Sequence, residues 1–511
     1  MKALPWALAG TLALAVLVAP VLPCIDFPQH LAIATQLLRL WEGDAFATAT
    51  FSTNLATHNA GIAVFTALAG KVVPIELGGR LFFAAYPPLL IAGVASLLRA
   101  RGLPAWRALL VVPATLSFAF GWGFVNFCVG TALAWIVVAL VAKQLDSPTI
   151  WRAAALSALS VLLAATHVMA MLLCALIAGG IGVEHLARKR TFAPRAAFAV
   201  ALAGAPLMLG CAYDLTVFFA HLAQNESSYT SSPAGFDSFS PLRKVAWFGT
   251  LVAGMYRTVS DTMIAWCVVA LLFAMAFVSR ASRSGEREAG RPLIAPLLVT
   301  LGFYFAVPSV FANTHLVFQR TAAWVVIAAV VAIPGLPERA ARRFSRVGAL
   351  LAIAATALFP LHLALLAYET RGLDQALAAV PKGALLTGYM EGSRTAAFRA
   401  TVLSHVAALA VPRGAADEGF SFARLMGTPV VYRPDHIPPY PNPTWEHGGH
   451  DYRVDDPLAR AYPVLLVRLA WPDEPTESAS RRLFGGKHDR VRLLARSNAW
   501  AVWDTAAVGT K

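Results

Sequence analysis

The sequence predicts a polytopic α-helical membrane protein of about eleven spans, with interfacial helices in its first outer loop and a soluble α/β domain at its C-terminus. Three observations predict it. Hydrophobic residues make up 58% of the 511 and charged ones only 14%, too apolar for a soluble chain and too regularly interrupted for one large core. The apolar residues fall in runs of about 16–20, the length a helix needs to cross a bilayer. Lys and Arg lie between the runs, so the orientation rule of membrane helices accounts for the net charge of +14. No nucleic-acid partner is expected.

The expected spans are 5–23, 81–98, 105–121, 125–143, 152–166, 168–187, 196–213, 261–279, 292–310, 321–335 and 347–367. Segment 5–23 reads as a retained signal anchor, because many spans follow it and no small-x-small cleavage site adjoins Cys24. One set of connections holds Lys2, then Arg99, Arg101 and Arg107, then Lys143 and Arg152, then the basic clusters of 188–195, 280–291 and 339–346. The opposite set holds only Arg39, Lys71, Arg80, Arg243, Lys244, Arg257 and Arg320. That asymmetry makes the first side, with the N-terminus, cytoplasmic and puts 24–80, 214–260, 311–320 and the tail outside. The Ala-, Leu- and Arg-rich composition suggests a high-GC bacterium, hence an inner membrane with a periplasmic outer face.

Within the membrane unit, 1–368, the first outer loop is long. Residues 27–43 and 59–73 are apolar but short, and counting 59–73 as a span would reverse every later loop. Both are read as helices lying along the outer surface. Residues 121–127 make a tight outer turn flanked by aromatics, and His167 splits an apolar run too long for one helix. Loop 214–260 is polar at its centre and expected to be mobile, with a glycosylation-like Asn225-Glu226-Ser227.

The tail, 369–511, is long enough to bury its own core. Its strand candidates are 383–389, 429–432, 462–469, 490–496 and 499–503, with a hairpin turn at Ser497-Asn498 and a helix over 395–410. The tail has no cysteine, since all five lie at or before Cys267. The spacing of His436, His447, His450 and His488 fits no standard metal site.

The chemistry-bearing stretch is Cys24-Ile25-Asp26-Phe27-Pro28-Gln29-His30, which places a carboxylate and an imidazole at the membrane edge. An ionisable group there is a functional hypothesis by default. Asp26 also reads as the N-cap of the next helix, with Pro28 in its first turn and Gln29 at the capping-box position. Arg320 opens a span from the outside, either as a cation for a ligand phosphate or as an interfacial anchor that snorkels. His167 either faces the same cavity or is a helix-end histidine with a satisfied hydrogen bond.

The order of these residues resembles a known pattern. A first membrane helix runs into an acid followed by a surface helix. Next comes His58-Asn59-Ala60-Gly61 before a second surface helix, then Gly79-Arg80-Leu81 opening the second span. It is similar to the GT-C superfamily of integral-membrane glycosyltransferases, in its bacterial protein-mannosyltransferase-like and aminoarabinose-transferase-like branch. There the second surface helix typically begins His-Pro-Pro-Leu; here the His is kept and both prolines are lost. The resemblance implies transfer of a sugar from a polyprenyl-phosphate carrier, in contact with membrane lipids, to an acceptor on the outer face. Asp26 would then be the general base on the acceptor hydroxyl, with His30 orienting or charge-balancing it. Arg320, His58 and Lys71 would meet the donor phosphate, and His167, Asn126 and Arg80 would line the cavity. The second acidic motif of many family members is missing from Gly121–Phe127, and nothing singles out one of Glu42, Asp44, Glu226 and Asp237 as its substitute. No essential metal or other cofactor is expected. The competing readings are a transporter or flippase of lipid-linked saccharide, which the near absence of acids from the spans disfavours, and a non-catalytic envelope-assembly protein.

Overall fold

A computed structural model of the chain describes residues 3–57, 59–189, 194–224, 239–282, 290–311, 314–425, 427–448 and 451–509. Among them seven helices are long and apolar enough to cross a membrane: Ile75–Ala100, Ala105–Trp122, Val125–Asp146, Val168–Arg188, Ala201–Ala220, Ser260–Ala281 and Glu338–Glu369. Four shorter apolar helices, Leu4–Val18, Ile150–Thr166, Ala295–Ala306 and Phe318–Ala332, stand at the remaining expected positions. Phe273 and Phe277, one turn apart, are both 74% exposed. An apolar face left that open belongs against lipid, and the chain is a polytopic helical membrane protein.

Helix ends are tied together by buried cations. Arg80 was expected in the linker that opens a span. It lies inside the helix Ile75–Ala84, whose continuation Tyr86–Ala100 makes that span begin earlier. Its guanidinium donates to the carbonyls of Val16, Leu17, Ala19 and Pro20, which satisfies the free end of Leu4–Val18. Lys244 does the same for Ala295–Ala306 by donating to the Tyr304, Phe305 and Val307 carbonyls. Arg107 donates to Ile333 and Pro334, and Arg101 to Asp146 and the Arg291 carbonyl. A second departure concerns the loop from 214. The helix Pro194–Gln224 runs on past it, which buries Asp214 inside an apolar helix. Part of the remainder is also helical, over Pro241–Ala253. The polar centre of that loop, Asn225 included, lies outside the described residues.

The turn at 121–127 is as tight as expected, and it positions the loop that follows the first helix. Gly123 has φ +86°, and a Cβ there would come within 2.8 Å of the Asp26 backbone nitrogen. The Asp26 N–H donates to the Trp122 carbonyl at 3.0 Å, and the Cys24 thiol donates to the Phe120 carbonyl. Only glycine fits here, on both backbone and steric grounds.

Helix Phe27–Glu42 starts and stops as the sequence indicates, ending at Gly43 in the left-handed region (φ 75°). It is not an interfacial helix. It is buried along most of its length beneath the tail, because Gln29, Gln36 and Arg39 form a polar stripe that meets tail groups. The second short helix, Gly61–Ala69, keeps Phe65 and Leu68 exposed, as a surface helix would. Strand Phe51–Thr53 pairs antiparallel with Val430–Tyr432 of the tail.

The tail's own sheet has the order Asp417–Glu418, Leu385–Met390, Val464–Arg468, Trp500–Asp504, Arg492–Ser497. The first two pairings are parallel and the others antiparallel. Four strands match expectation, as does the turn at Asn498 (φ 50°). Strand 429–432 instead serves the first loop. The expected helix over 395–410 is absent apart from a 3-10 turn, Val406–Ala410. Residues 397–399 are drawn off to bond Met255 and Arg257, and His405 turns left-handed. Alternation along the strands splits the sheet. Leu465, Val467, Ala501 and Trp503 face a tail core with Tyr389, Trp445 and Phe484. Val464, Leu466, Trp500 and Val502 belong to the core of the membrane helices.

Gly123→Ala should cost about 2–4 kcal/mol, combining left-handed strain with a backbone clash. Thermal unfolding of the detergent-purified protein measures it. Wild-type stability in the variant would mean that Asp26 is not held by this close approach.

Candidate functional site

The turn Trp122–Phe124 holds two of the expected site residues at once. Its first residue bonds the Asp26 backbone, and its last, Phe124, lies under the Arg320 guanidinium, whose centre is 3.6 Å from the ring centroid. Arg320 donates from Nη2 to the His315 carbonyl at 2.9 Å, while its Nε is buried with no partner among the described residues. Asp26 and Arg320 sense each other's charge.

Asp26 occupies the N-cap position of Phe27–Glu42, but its side chain makes no cap hydrogen bond. Nor does Gln29 reach back as a capping box would. Its amide donates to Glu418, and its carbonyl accepts the Phe422 N–H at 3.1 Å. The half-buried Asp26 carboxyl is therefore left to the site. Burial pushes its pKa up to about 6, and His405 and Arg320 hold it from rising further. His30 stands one turn on, with its ring edge toward Phe422 at 6.0 Å between centroids. Burial lowers its pKa to about 4, so at neutral pH it is uncharged and does not balance Asp26.

The cation that does so comes from the tail. Burial alone would lower the pKa of His405, but Glu446, with smaller contributions from Asp26 and Glu418, outweighs it and raises the value to about 9. The His405 Nδ1 lies 2.6 Å from Glu446 Oε2, and its backbone N–H donates to Oε1 at 3.1 Å. Glu446 is fully buried. Glu418, also fully buried, accepts from Gln29 and from the Phe420 N–H. Its pKa is raised by burial and by the nearby Glu446. Phe422 separates the two histidine rings, with its centroid 5.6 Å from that of His405.

The remaining expected residues lie elsewhere or do structural work. Lys71 sits 5.6 Å from the Trp41 ring centroid, beside the opposite end of Phe27–Glu42, too far to meet a phosphate at Asp26. Asn126 accepts from the Ile62 N–H and donates to the Asn59 carbonyl, which fastens the start of Gly61–Ala69. His167 joins two helices, its Nδ1 accepting from the Met169 N–H and its ring edge-on to Phe127. Arg80 ties the first helix as described above. His58 lies outside the described residues, as do Glu226 and Asp237. Asp44 caps the helix Ala45–Thr50.

His405, Glu446 and Glu418 have no signal in the sequence, because Gln29 and Glu418 are 389 residues apart and only the folded tail joins them. Of the other tail histidines, His447 bonds Ser404, His436 pairs with Asp435, and His450 lies outside the described residues. Among the described residues no group of three or more His, Cys, Asp or Glu could hold a metal ion.

No protein-family model and no curated protein matches the chain. The functional reading rests on the site.

Glu418 gives a test of how the roof is built. A carboxyl whose native pKa is raised contributes stability at low pH and loses it as pH rises from the unfolded value of 4.5 towards about 8. Glu418→Gln, neutral throughout, should flatten that slope in thermal melts between pH 5 and 8, whatever its absolute stability. An unchanged slope would show that Glu418 is not buried as a carboxylic acid.

Proposed function

We propose that the protein is a glycosyltransferase of the GT-C type, moving a sugar from a polyprenyl-phosphate donor to an acceptor at the outer face of a bacterial inner membrane. One observation carries this reading: a proton-hungry carboxyl and a guanidinium whose Nε is unsatisfied among the described residues are anchored on the same three-residue turn. The acceptor hydroxyl gives its proton to Asp26 as its oxygen bonds the sugar's anomeric carbon. The carbon–phosphate-oxygen bond breaks, and its electron pair leaves with the carrier phosphate, whose charge Arg320 offsets. A pKa near 6 suits this task, since the group is mostly ionised at neutral pH yet more basic than a free carboxylate.

An eleven-span topology with the N-terminus inside is supported by the grouping of helix ends. Arg101, Asp146, Arg188 and the 291–292 backbone converge at one end. Trp122, Asp26 and the tail gather at the other.

A transporter or flippase is the second reading, and Asp214 favours it. Both oxygens of this buried carboxyl have no hydrogen-bond partner among the described residues, inside a helix apolar enough to span. Intramembrane acids of that kind often carry protons or ions. The near absence of acids from the spans, argued from sequence, therefore has this exception.

Purified protein given polyprenyl-phosphate sugars should release carrier lipid. Asp26→Asn should lower the rate about 10²–10⁴-fold while the protein stays folded. Arg320→Gln should cost about 10²–10³-fold. Because the ionised carboxylate is the active form, wild-type activity should fall as pH drops through about 6. Full activity in Asp26→Asn sinks the mechanism. Saccharide translocation that needs Asp214 but not Asp26 would favour the transporter.

A further inference from the structure

We infer that His405 of the tail is a positioning residue of the Asp26 site, presented by Glu446 and acting on substrate only through Asp26. The inference rests on the reading of Asp26 as the base. Its grounds are geometric. His405 is one of only three non-glycine residues with positive φ among those described, at 61°. Such a backbone costs energy and persists where the surroundings enforce it. Here one fully buried carboxylate does so by gripping both the ring Nδ1 and the backbone N–H of the same residue. With Nδ1 committed to Glu446, the ring's other nitrogen is free of that clamp. The ring stands edge-on to Phe422, across which lies His30, one turn from Asp26. A histidine needed only for packing would require no such clamp.

The charged groups around the pair are few. Asp26 faces His405 and Arg320, with the Cys24 thiol nearby and His30 uncharged at neutral pH. His405 faces Glu446, Asp26 and Glu418, with His447 beside it. A cationic His405 favours the ionised form of the half-buried Asp26, so the acidity of the site depends on the tail. Between about pH 6 and 9 both groups carry their working charges.

Coupled titrations are reciprocal, and that supplies the test. Asp26→Asn suits it because the native side chain makes no cap hydrogen bond. In full-length, histidine-labelled protein in detergent, ring-nitrogen NMR should show the His405 midpoint falling by roughly one pH unit in Asp26→Asn, the size expected for one charge removed at several ångströms. From the other side, the infrared carboxyl band that vanishes in Asp26→Asn should titrate about one pH unit higher in His405→Asn. Asn is neutral and tolerates a left-handed backbone. His405→Lys restores the charge and should bring the midpoint back. A His405 midpoint unmoved by Asp26→Asn overturns the inference, and so does an Asp26 midpoint indifferent to both His405 variants in folded protein. If His405→Asn does not fold, the Asp26→Asn arm decides alone. No arm uses a sugar donor. Coupling without carrier release would overturn the transfer reading and leave only the His405–Asp26 coupling standing; carrier release without coupling would overturn the role of His405 and leave the transfer reading standing.

Discussion

The approach of Gly123 to the Asp26 backbone is the contact on which the rest of the site depends. It brings the start of the loop after the first helix against the turn between two membrane helices at a distance that no side chain allows. Two consequences follow from that fixed point. The chain enters Phe27–Glu42 with the Asp26 carboxyl making no cap hydrogen bond to its own helix, and Phe124, one residue on, becomes the seat of Arg320. Neither charged residue forms a salt bridge among the described residues. Both are placed by backbone and ring, which leaves their charges available to a ligand.

The tail is a structural part of the membrane unit. Period-two alternation gives its sheet two apolar faces, and one of them is continuous with the core of the helix bundle. A strand of the first loop pairs with a strand of the tail, and the polar stripe of Phe27–Glu42 is satisfied by tail groups. Removing the roof would leave Gln29, Gln36 and Arg39 without those partners and would open the site to water. Burial raises the pKa of Asp26, and with it the basicity proposed for the reaction, while His405 of the tail lowers it.

The apolar helices, their order and the tight turn at 121–127 were legible in the sequence, because the length of an apolar run is a local property. The helix limits were less so. Arg80 and Asp214 both read as loop residues, since a charge normally ends an apolar run. Their helices run on because Arg80 binds the carbonyls of another helix end and Asp214 is buried. Asp26 and Arg320 were readable as candidates from their place at the membrane edge. His405, Glu446 and Glu418 were not, because their meaning depends on a long-range contact. The stretch 395–410 has the composition of a helix, but its ends are bound to Met255 and to Glu446, and those bonds override local propensity.

Asp26 and Asp214 show what surroundings do to the same side chain. Asp214 is buried with neither oxygen bonded, so its charged form has nothing nearby to support it. Asp26 is enclosed by protein as well, but two cations from distant parts of the chain face it. Burial raises its pKa, the two cations lower it, and the balance stands at about 6. The tail supplies one of the two cations, His405, and the membrane unit supplies Arg320. A tail that docks loosely would therefore shift the acidity of the site as well as its shape, and the chemistry proposed here is tied to the same contacts that hold the two parts of the chain together.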